Sequence, residues 1–166
     1  YHPLAAMRIA KYKPSIKLIT ILREPVSRAF SAYNMYYRFQ NSSSEINRRF
    51  SETRPFESVI NDEINNWKSV NWYNNPKAYV RRGIYFDQIE RYLDLFPRDQ
   101  LLILNYTEYR NDFGKTMRKI AEFLNIDKDS IFENEKHNKS NYFFDIPEYC
   151  SAKLKEFYEP FNEKLF

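Results

Sequence analysis

Two glycines occur in 166 residues. A loop that cradles phosphate with its backbone needs positions free of a Cβ, so a glycine-rich nucleotide loop is excluded from this chain. The only cysteine, Cys150, excludes an internal disulfide, and with just two histidines beside it a structural zinc site is not expected. No apolar run approaches the roughly 20 residues of a membrane-spanning helix. Neither sign of charge is blocked: 26 basic and 22 acidic residues interleave to a net +4 and an isoelectric point near 9.0. That balance favours anionic partners mildly and lacks the basic clustering of a nucleic-acid binder. No secretory leader is visible. The chain opens "YHPLAAMRIAKY", which reads as the middle of a protein, so an upstream part is expected.

What is present is core-forming material. Hydrophobic residues make up 43% and aromatics 18%, enough for one domain with a real core. Residues 3 to 12 read as a short helix with Leu4, Met7 and Ile9 as its apolar members, stopped by Pro14. "IKLITIL" (16–22) reads as a buried strand, from its length and isoleucines. Pro25 suits a first helical residue, and Val26, Phe30, Tyr33 and Tyr37 then recur as a helical stripe. "QNSSSE" (40–45) reads as a polar loop. A helix over 56–67 carries Phe56, Val59, Ile60, Ile64 and Trp67 on one face, with Glu52, Glu57, Asp62 and Glu63 on or near its wet side. Turn chemistry fills 68–82. The span 83–97 predicts a helix striped by Tyr85, Ile89, Tyr92, Leu93 and Phe96. "QLLILNY" (100–106) predicts a second strand. A helix over 111–126, capped by Asn111 or Asp112, places Phe113, Met117, Ile120 and Leu124 inside. A polar loop over 135–147 precedes a last helix with Cys150, Leu154, Phe157 and Phe161. Two strands, each followed by a turn and a helix, are the pattern of a parallel α/β sheet.

Arg23 sits where the first strand gives way to a helix. At the carboxyl end of a parallel strand a side chain points into the crevice where α/β folds bind ligands. Free N–H groups at the start of the next helix would face the same crevice. Ser27 and Ser31 lie four apart, with Arg28 beside them. A guanidinium, hydroxyls and a helix N-terminus suit a phosphate. The alternative is an arginine paired with Glu24 or another acid, and serines on an ordinary helix surface. "EKHNKS" (135–140) poses the same choice: a basic loop that folds over an anion, or a solvated charged loop. Trp67, Trp72 and Tyr73 could stack on a sugar or serve as core and rim. His2 and His137 stand alone. Asn41, Asn105 and Asn138 fit glycosylation sequons, as chance allows in an asparagine-rich chain.

"KLITILREPVSRAFSAY" (17–33) resembles the 3′-phosphate signature of the sulfotransferases that use 3′-phosphoadenosine 5′-phosphosulfate (PAPS). The family's strand-end arginine falls on Arg23 and its helix serine on Ser31, eight positions later; Pro25, Arg28 and Tyr33 match as well. The block at 81–126 is similar to the downstream block of the heparan-sulfate and related bacterial members. "KHNKS" (136–140) with "LKEFYEPFNEKLF" (154–166) resembles their terminal nucleotide-closing loop and final helix. The region 40–80 would be the variable, acceptor-facing part.

The resemblance implies an α/β fold with a P-loop-type parallel sheet flanked by helices. This chain, mostly helical with about two strands, would be the C-terminal part of a single sulfotransferase domain. It implies a sulfuryl transfer from PAPS, leaving 3′-phosphoadenosine 5′-phosphate (PAP), to a hydroxyl or amine acceptor such as a carbohydrate, without a metal. Arg23 and Ser31 would hold the 3′-phosphate, and Lys136, Asn138, Lys139 and Ser140 would close over it. The loop departs from the family's K-G-R order and lacks its glycine. The family's phosphate-loop lysine and its Glu or His base precede the matched segment, so the catalytic residues are expected upstream of Tyr1. Two other readings stay open here: a related P-loop enzyme transferring phosphoryl groups, and a non-catalytic module binding a nucleotide or glycan. One cysteine favours a bacterial cytoplasmic setting, with the Golgi lumen as the alternative.

Overall fold

The structure, a computed structural model, describes residues 2–69, 71, 73–127, 142 and 144–165. The chain divides into two compact units. One comprises Tyr1–His2, Glu24–Gln88 and Asn141–Phe166; the other comprises Pro3–Arg23 and Ile89–Ser140.

The second of these holds the sheet. Helix α1 (Ala5–Tyr12) precedes strand β1 (Leu18–Leu22), which pairs in parallel with β2 (Leu101–Asn105) from Leu18 opposite Leu101 to Leu22 opposite Asn105. Two elements follow β2 directly: α6 (Tyr106–Asn111) and α7 (Phe113–Leu124). Both helix starts are written locally. The Asn105 side chain accepts the N–H groups of Thr107 at 2.7 Å and Glu108 at 3.4 Å, and Asp112 accepts that of Lys115 at 2.8 Å. Asn125, at φ 58°, ends α7 in the left-handed region that asparagine tolerates. Lys17 on the strand's approach donates to the Phe123 carbonyl and lies over the same residue's ring.

Three expectations change here. β1 is not buried on both faces: Leu18, Thr20 and Leu22 are half-buried while Ile19 and Ile21 are exposed, because among the described residues the sheet has two strands and β1 is covered on one face. The helix at the start packs through Ala6, leaving Leu4 and Met7 exposed. The second strand ends at Asn105 rather than Tyr106, because the Asn105 side chain caps a helix that starts there.

The other unit is helical. α2 (Pro25–Arg38) runs into a 3₁₀ turn at Phe39–Asn41, then α3 (Glu45–Arg49), α4 (Phe56–Asn66), a 3₁₀ turn at Arg81–Gly83, the start of α5 (Phe86–Leu93), and α8 (Glu148–Asn162). Its core is where the helical stripes meet: Val26, Phe30 and Tyr33 of α2, Phe56, Val59 and Ile60 of α4, Tyr79, Val80 and Ile84 of the connecting segment, and Cys150, Leu154 and Tyr158 of α8. Full burial of each large apolar side chain contributes roughly 1.5–3 kcal/mol. Trp67 packs edge-on against Phe157 and Phe161, which makes it a core residue rather than a free stacking platform.

The expected polar loop at 40–45 is shorter than its composition implied, because the Ser44 hydroxyl accepts the Asn47 N–H and starts α3. The helix expected from residue 83 begins at Phe86, since Arg81–Gly83 forms a 3₁₀ turn and Ile84 is not helical (ψ 89°). Two of the acids expected on the wet side of α4 lie inside. Glu52 is 2% exposed and Glu63 8%. The mostly helical chain with one parallel two-stranded sheet is the α/β arrangement expected of it.

Candidate functional site

Arg23 follows the last residue of β1 and Tyr106 follows the last residue of β2. The parallel register therefore brings both to the carboxyl edge of the sheet, where the half-buried Arg23 guanidinium lies 5.2 Å from the centre of the Tyr106 ring. The Arg110 guanidinium lies 6.0 Å from the same ring. Tyr106 is thus flanked by two cations, each drawn to the negative face of the ring. Sequence reading missed Tyr106 and Arg110; the signal available was a tyrosine at a strand end with an arginine four residues later.

α2 begins differently from expectation. Its first N–H groups were expected to be free for an anion. Instead Glu24 turns its carboxylate back onto them: Oε1 accepts from Val26 N–H at 2.9 Å and Oε2 from Ser27 N–H at 2.7 Å. The Ser27 hydroxyl donates to the Glu24 carbonyl at 2.9 Å. A carboxylate already occupies the positive end of this helix, so a phosphate there would meet a like charge. Ser31, one turn further on, is half-buried, and its hydroxyl has no hydrogen bond among the described residues. A groove of about 510 Å³ beside the start of α2 is lined by Glu24, Glu156, Glu159 and Glu163 against one lysine, Lys155, and its charge is wrong for a nucleotide.

Arg28 turns inward. Its Nη2 donates to the Tyr79 carbonyl, and its charge faces the Tyr158 hydroxyl. Facing it, Glu63 accepts the backbone N–H groups of Tyr79 at 2.7 Å, Val80 at 2.8 Å and Arg81 at 3.3 Å. Burial pushes the Glu63 carboxyl above the ordinary glutamate range, against the pull of these three N–H groups and of the Arg28 charge. Burial also pushes the Tyr158 hydroxyl well up, so it stays protonated and donates to the Val80 carbonyl at 2.8 Å.

Glu52 has a different balance. Burial raises its carboxyl, but the hydrogen bonds from the Arg54 side chain and backbone, with the charges of Arg54 and Lys77, outweigh it and hold it below the ordinary value. The Arg54 fork meets both Glu52 oxygens at 3.1 Å, and the Tyr79 hydroxyl reaches Oε2 at 3.3 Å. This cluster is closed in on itself and ties the 51–54 segment to α2, where the Glu52 N–H donates to the Tyr36 carbonyl at 3.0 Å and the Tyr33 hydroxyl to the Arg54 carbonyl at 2.8 Å. Desolvation raises the Tyr33 hydroxyl to about 12, so it too is a donor at neutral pH.

Lys136, Asn138, Lys139 and Ser140 lie outside the described residues, as do His137 and Trp72. Tyr73 is partly exposed and meets His2 edge-on at 6.0 Å. The Asn105 side chain, an acceptor for α6, is already engaged. Among the described residues no cluster of His, Cys, Asp and Glu could hold a metal ion, and no helix is long and apolar enough to cross a membrane.

Comparison with known proteins gives this arrangement a family. The mouse protein "Carbohydrate sulfotransferase 15" (Mus musculus) is 26% identical over 170 residues, which is 95% of this chain and 30% of the relative. "Heparan sulfate glucosamine 3-O-sulfotransferase 5" (Mus musculus) is 27% identical over 180 residues, 96% of this chain and 49% of that one. This chain therefore spans less than half the length of either relative. The crystal structure of a sulfotransferase from Alicyclobacillus acidocaldarius superposes with a TM-score of 0.76 at 26% identity, covering 99% of this chain and 59% of that one. The family model "Sulfotransferase domain" matches residues 2–162. By that match over nearly its whole length, this chain belongs to the sulfotransferase domain family.

Proposed function

We propose that this chain is the C-terminal part of a single sulfotransferase domain and supplies the 3′-phosphate half of its donor site. The enzyme moves a sulfuryl group from PAPS to a hydroxyl or amine acceptor, with a carbohydrate as the acceptor class named by the similar proteins. The observation that carries the reading is Arg23: a half-buried guanidinium at the carboxyl edge of a parallel strand, set against a tyrosine ring and followed eight residues later by Ser31 on the next helix. Fixed positive charge together with a neutral hydroxyl donor is the donor set a phosphate dianion needs.

In this reading Arg23 neutralises the 3′-phosphate and Ser31 donates one hydrogen bond to it. Both orient the nucleotide and take no part in proton transfer. The donor, when bound, supplies the sulfuryl group itself. Lys136, Asn138, Lys139 and Ser140 add charge and donors over the same nucleotide. Ser27, the amide end of α2 and Arg28 drop out of the anion site, because each is committed to protein partners. The catalytic base and the phosphate-loop lysine are assigned to no residue of 1–166. The single cysteine fits a bacterial cytoplasmic setting.

Charge-assisted contacts of this kind contribute roughly 1.5–3 kcal/mol each, so Arg23→Ala is expected to weaken PAP binding by about 10- to 100-fold and Ser31→Ala by somewhat less. Calorimetry on the full-length protein checks this. Unchanged affinity in Arg23→Ala would overturn the assignment.

A further inference from the structure

We infer that Arg28, Glu63 and Tyr158 form a positioning device that fixes the stretch of α2 carrying Ser31, so that Arg28 acts on the 3′-phosphate through the helix and not as a ligand. This rests on the proposed role of Ser31.

The device is a clamp on one short segment of backbone. Residues 79–81 bring three N–H groups and two carbonyls into the core of the helical unit. The Glu63 carboxylate, from α4, takes the N–H groups of Tyr79, Val80 and Arg81. Arg28, from α2, takes the Tyr79 carbonyl, and Tyr158, from α8, takes the Val80 carbonyl at 2.8 Å. The Arg28 charge faces both the Tyr158 hydroxyl and Glu63. Three helices are therefore tied to one turn, α2 by the Arg28 hydrogen bond together with ring contacts of Tyr33 and Tyr36 against Tyr79. The turn is closed below by Gly83, where a Cβ would lie 2.6 Å from the Tyr158 hydroxyl.

A phosphate ligand would need its guanidinium free at the surface. Arg28 instead spends its Nη2 on a backbone carbonyl, and its Nε is buried without a hydrogen-bond partner. A buried donor left unmatched is tolerated where the rest of the group is strongly held. Ser31 follows Arg28 by three residues, about 4.5 Å along the helix axis. On that rigid step, a shift at Arg28 becomes a shift of similar size at the Ser31 hydroxyl. A hydrogen bond to phosphate weakens steeply over a few tenths of an ångström and with misalignment.

The two roles for Arg28 separate at Glu63. If Arg28 touched the phosphate, neutralising the neighbouring carboxylate with Glu63→Gln would leave phosphate binding unchanged or strengthen it. If Arg28 positions α2, Glu63→Gln replaces an acceptor by a group with its own N–H, loosens the turn and weakens binding. The test is calorimetry on the full-length protein with two probes, PAP and adenosine 5′-monophosphate, which lacks the 3′-phosphate. Arg28→Lys and Glu63→Gln are each expected to weaken PAP about tenfold while changing the monophosphate less than about twofold. Should either variant fail to fold, Tyr158→Phe, which removes one hydroxyl and keeps the ring, is expected to lose PAP affinity about threefold with the same selectivity. Equal loss for both probes, or PAP binding kept or improved in Glu63→Gln, overturns the positioning role. Ser31→Ala is the control for the underlying reading. If it loses PAP selectively while the Arg28 and Glu63 variants do not, only the positioning role falls. If Ser31→Ala is without effect, the 3′-phosphate assignment falls and the positioning role with it.

Discussion

Gly83→Ala offers a stringent check on the packing that surrounds the clamp. The Gly83 backbone is not in the left-handed region, so a Cβ is refused by space and not by backbone strain. An added methyl would lie 2.6 Å from the Tyr158 Oη, 2.8 Å from its Cζ and 2.9 Å from its Cε1. The Tyr158 ring cannot yield cheaply: it is fully buried, and its hydroxyl is tied to the Val80 carbonyl at 2.8 Å. Overpacking of this kind costs about 1–3 kcal/mol. Displacing the ring also forfeits a hydrogen bond of about 1 kcal/mol. Against this, alanine restricts the unfolded chain and returns about 0.4–1 kcal/mol. The net expectation is a loss of roughly 1–3 kcal/mol. Urea unfolding of the full-length protein, followed by tryptophan fluorescence and far-ultraviolet circular dichroism, reads it directly. Tyr158→Phe removes both the nearest atom and the tether, so in that background Gly83→Ala should cost about 1 kcal/mol less, a coupling a double-mutant cycle resolves. Full stability in Gly83→Ala, or strict additivity with Tyr158→Phe, would refute the argument.

Two further predictions concern stability. Glu52 and Glu63 should respond to pH with opposite sign. The lowered Glu52 carboxyl contributes stability that is present above its unfolded value of 4.5 and lost as pH falls through the folded one. The raised Glu63 carboxyl does the reverse: its contribution is fully present below 4.5 and declines as pH rises through its folded value. Denaturation of Glu52→Gln and Glu63→Gln from about pH 4 to about pH 8 should show the two differences from the parent diverging, and parallel curves would contradict it. Removing the caps by Asn105→Ala or Asp112→Ala should cost about 1 kcal/mol each, read as a shift in the urea midpoint without a change in slope.

The proposals differ in what they ask of the chain. The 3′-phosphate role needs two side chains and a local turn. The clamp needs four segments far apart in sequence, meeting at residues 79–83. Arg28 shows why the distinction matters: beside Ser27 and Ser31 in sequence it reads as part of an anion site, yet its guanidinium lies among Tyr79, Tyr158 and Glu63.

Local physics determined much of this protein from sequence alone. Apolar runs of strand length, each followed by a turn and a helical stripe, specified β1, β2 and their parallel pairing. Phe56, Val59 and Ile60 recurred at the period of a helix and are buried as one face of α4. Asp112 announced a helix start because a cap acts within three residues. Only the tertiary structure decided the fate of the charged groups. Glu63 is indistinguishable from a solvated helix acid until its carboxylate meets N–H groups 16 to 18 residues away. Glu52 depends on the Arg54 side chain folding back onto it and on Tyr79, 27 residues away. A charge is buried or wetted according to which donors arrive from elsewhere in the chain, and periodicity carries no record of those arrivals. The start of α2 was closed locally and not by tertiary contact: Glu24 caps N–H groups two and three residues on, a signal the sequence carried and the anion-site reading passed over.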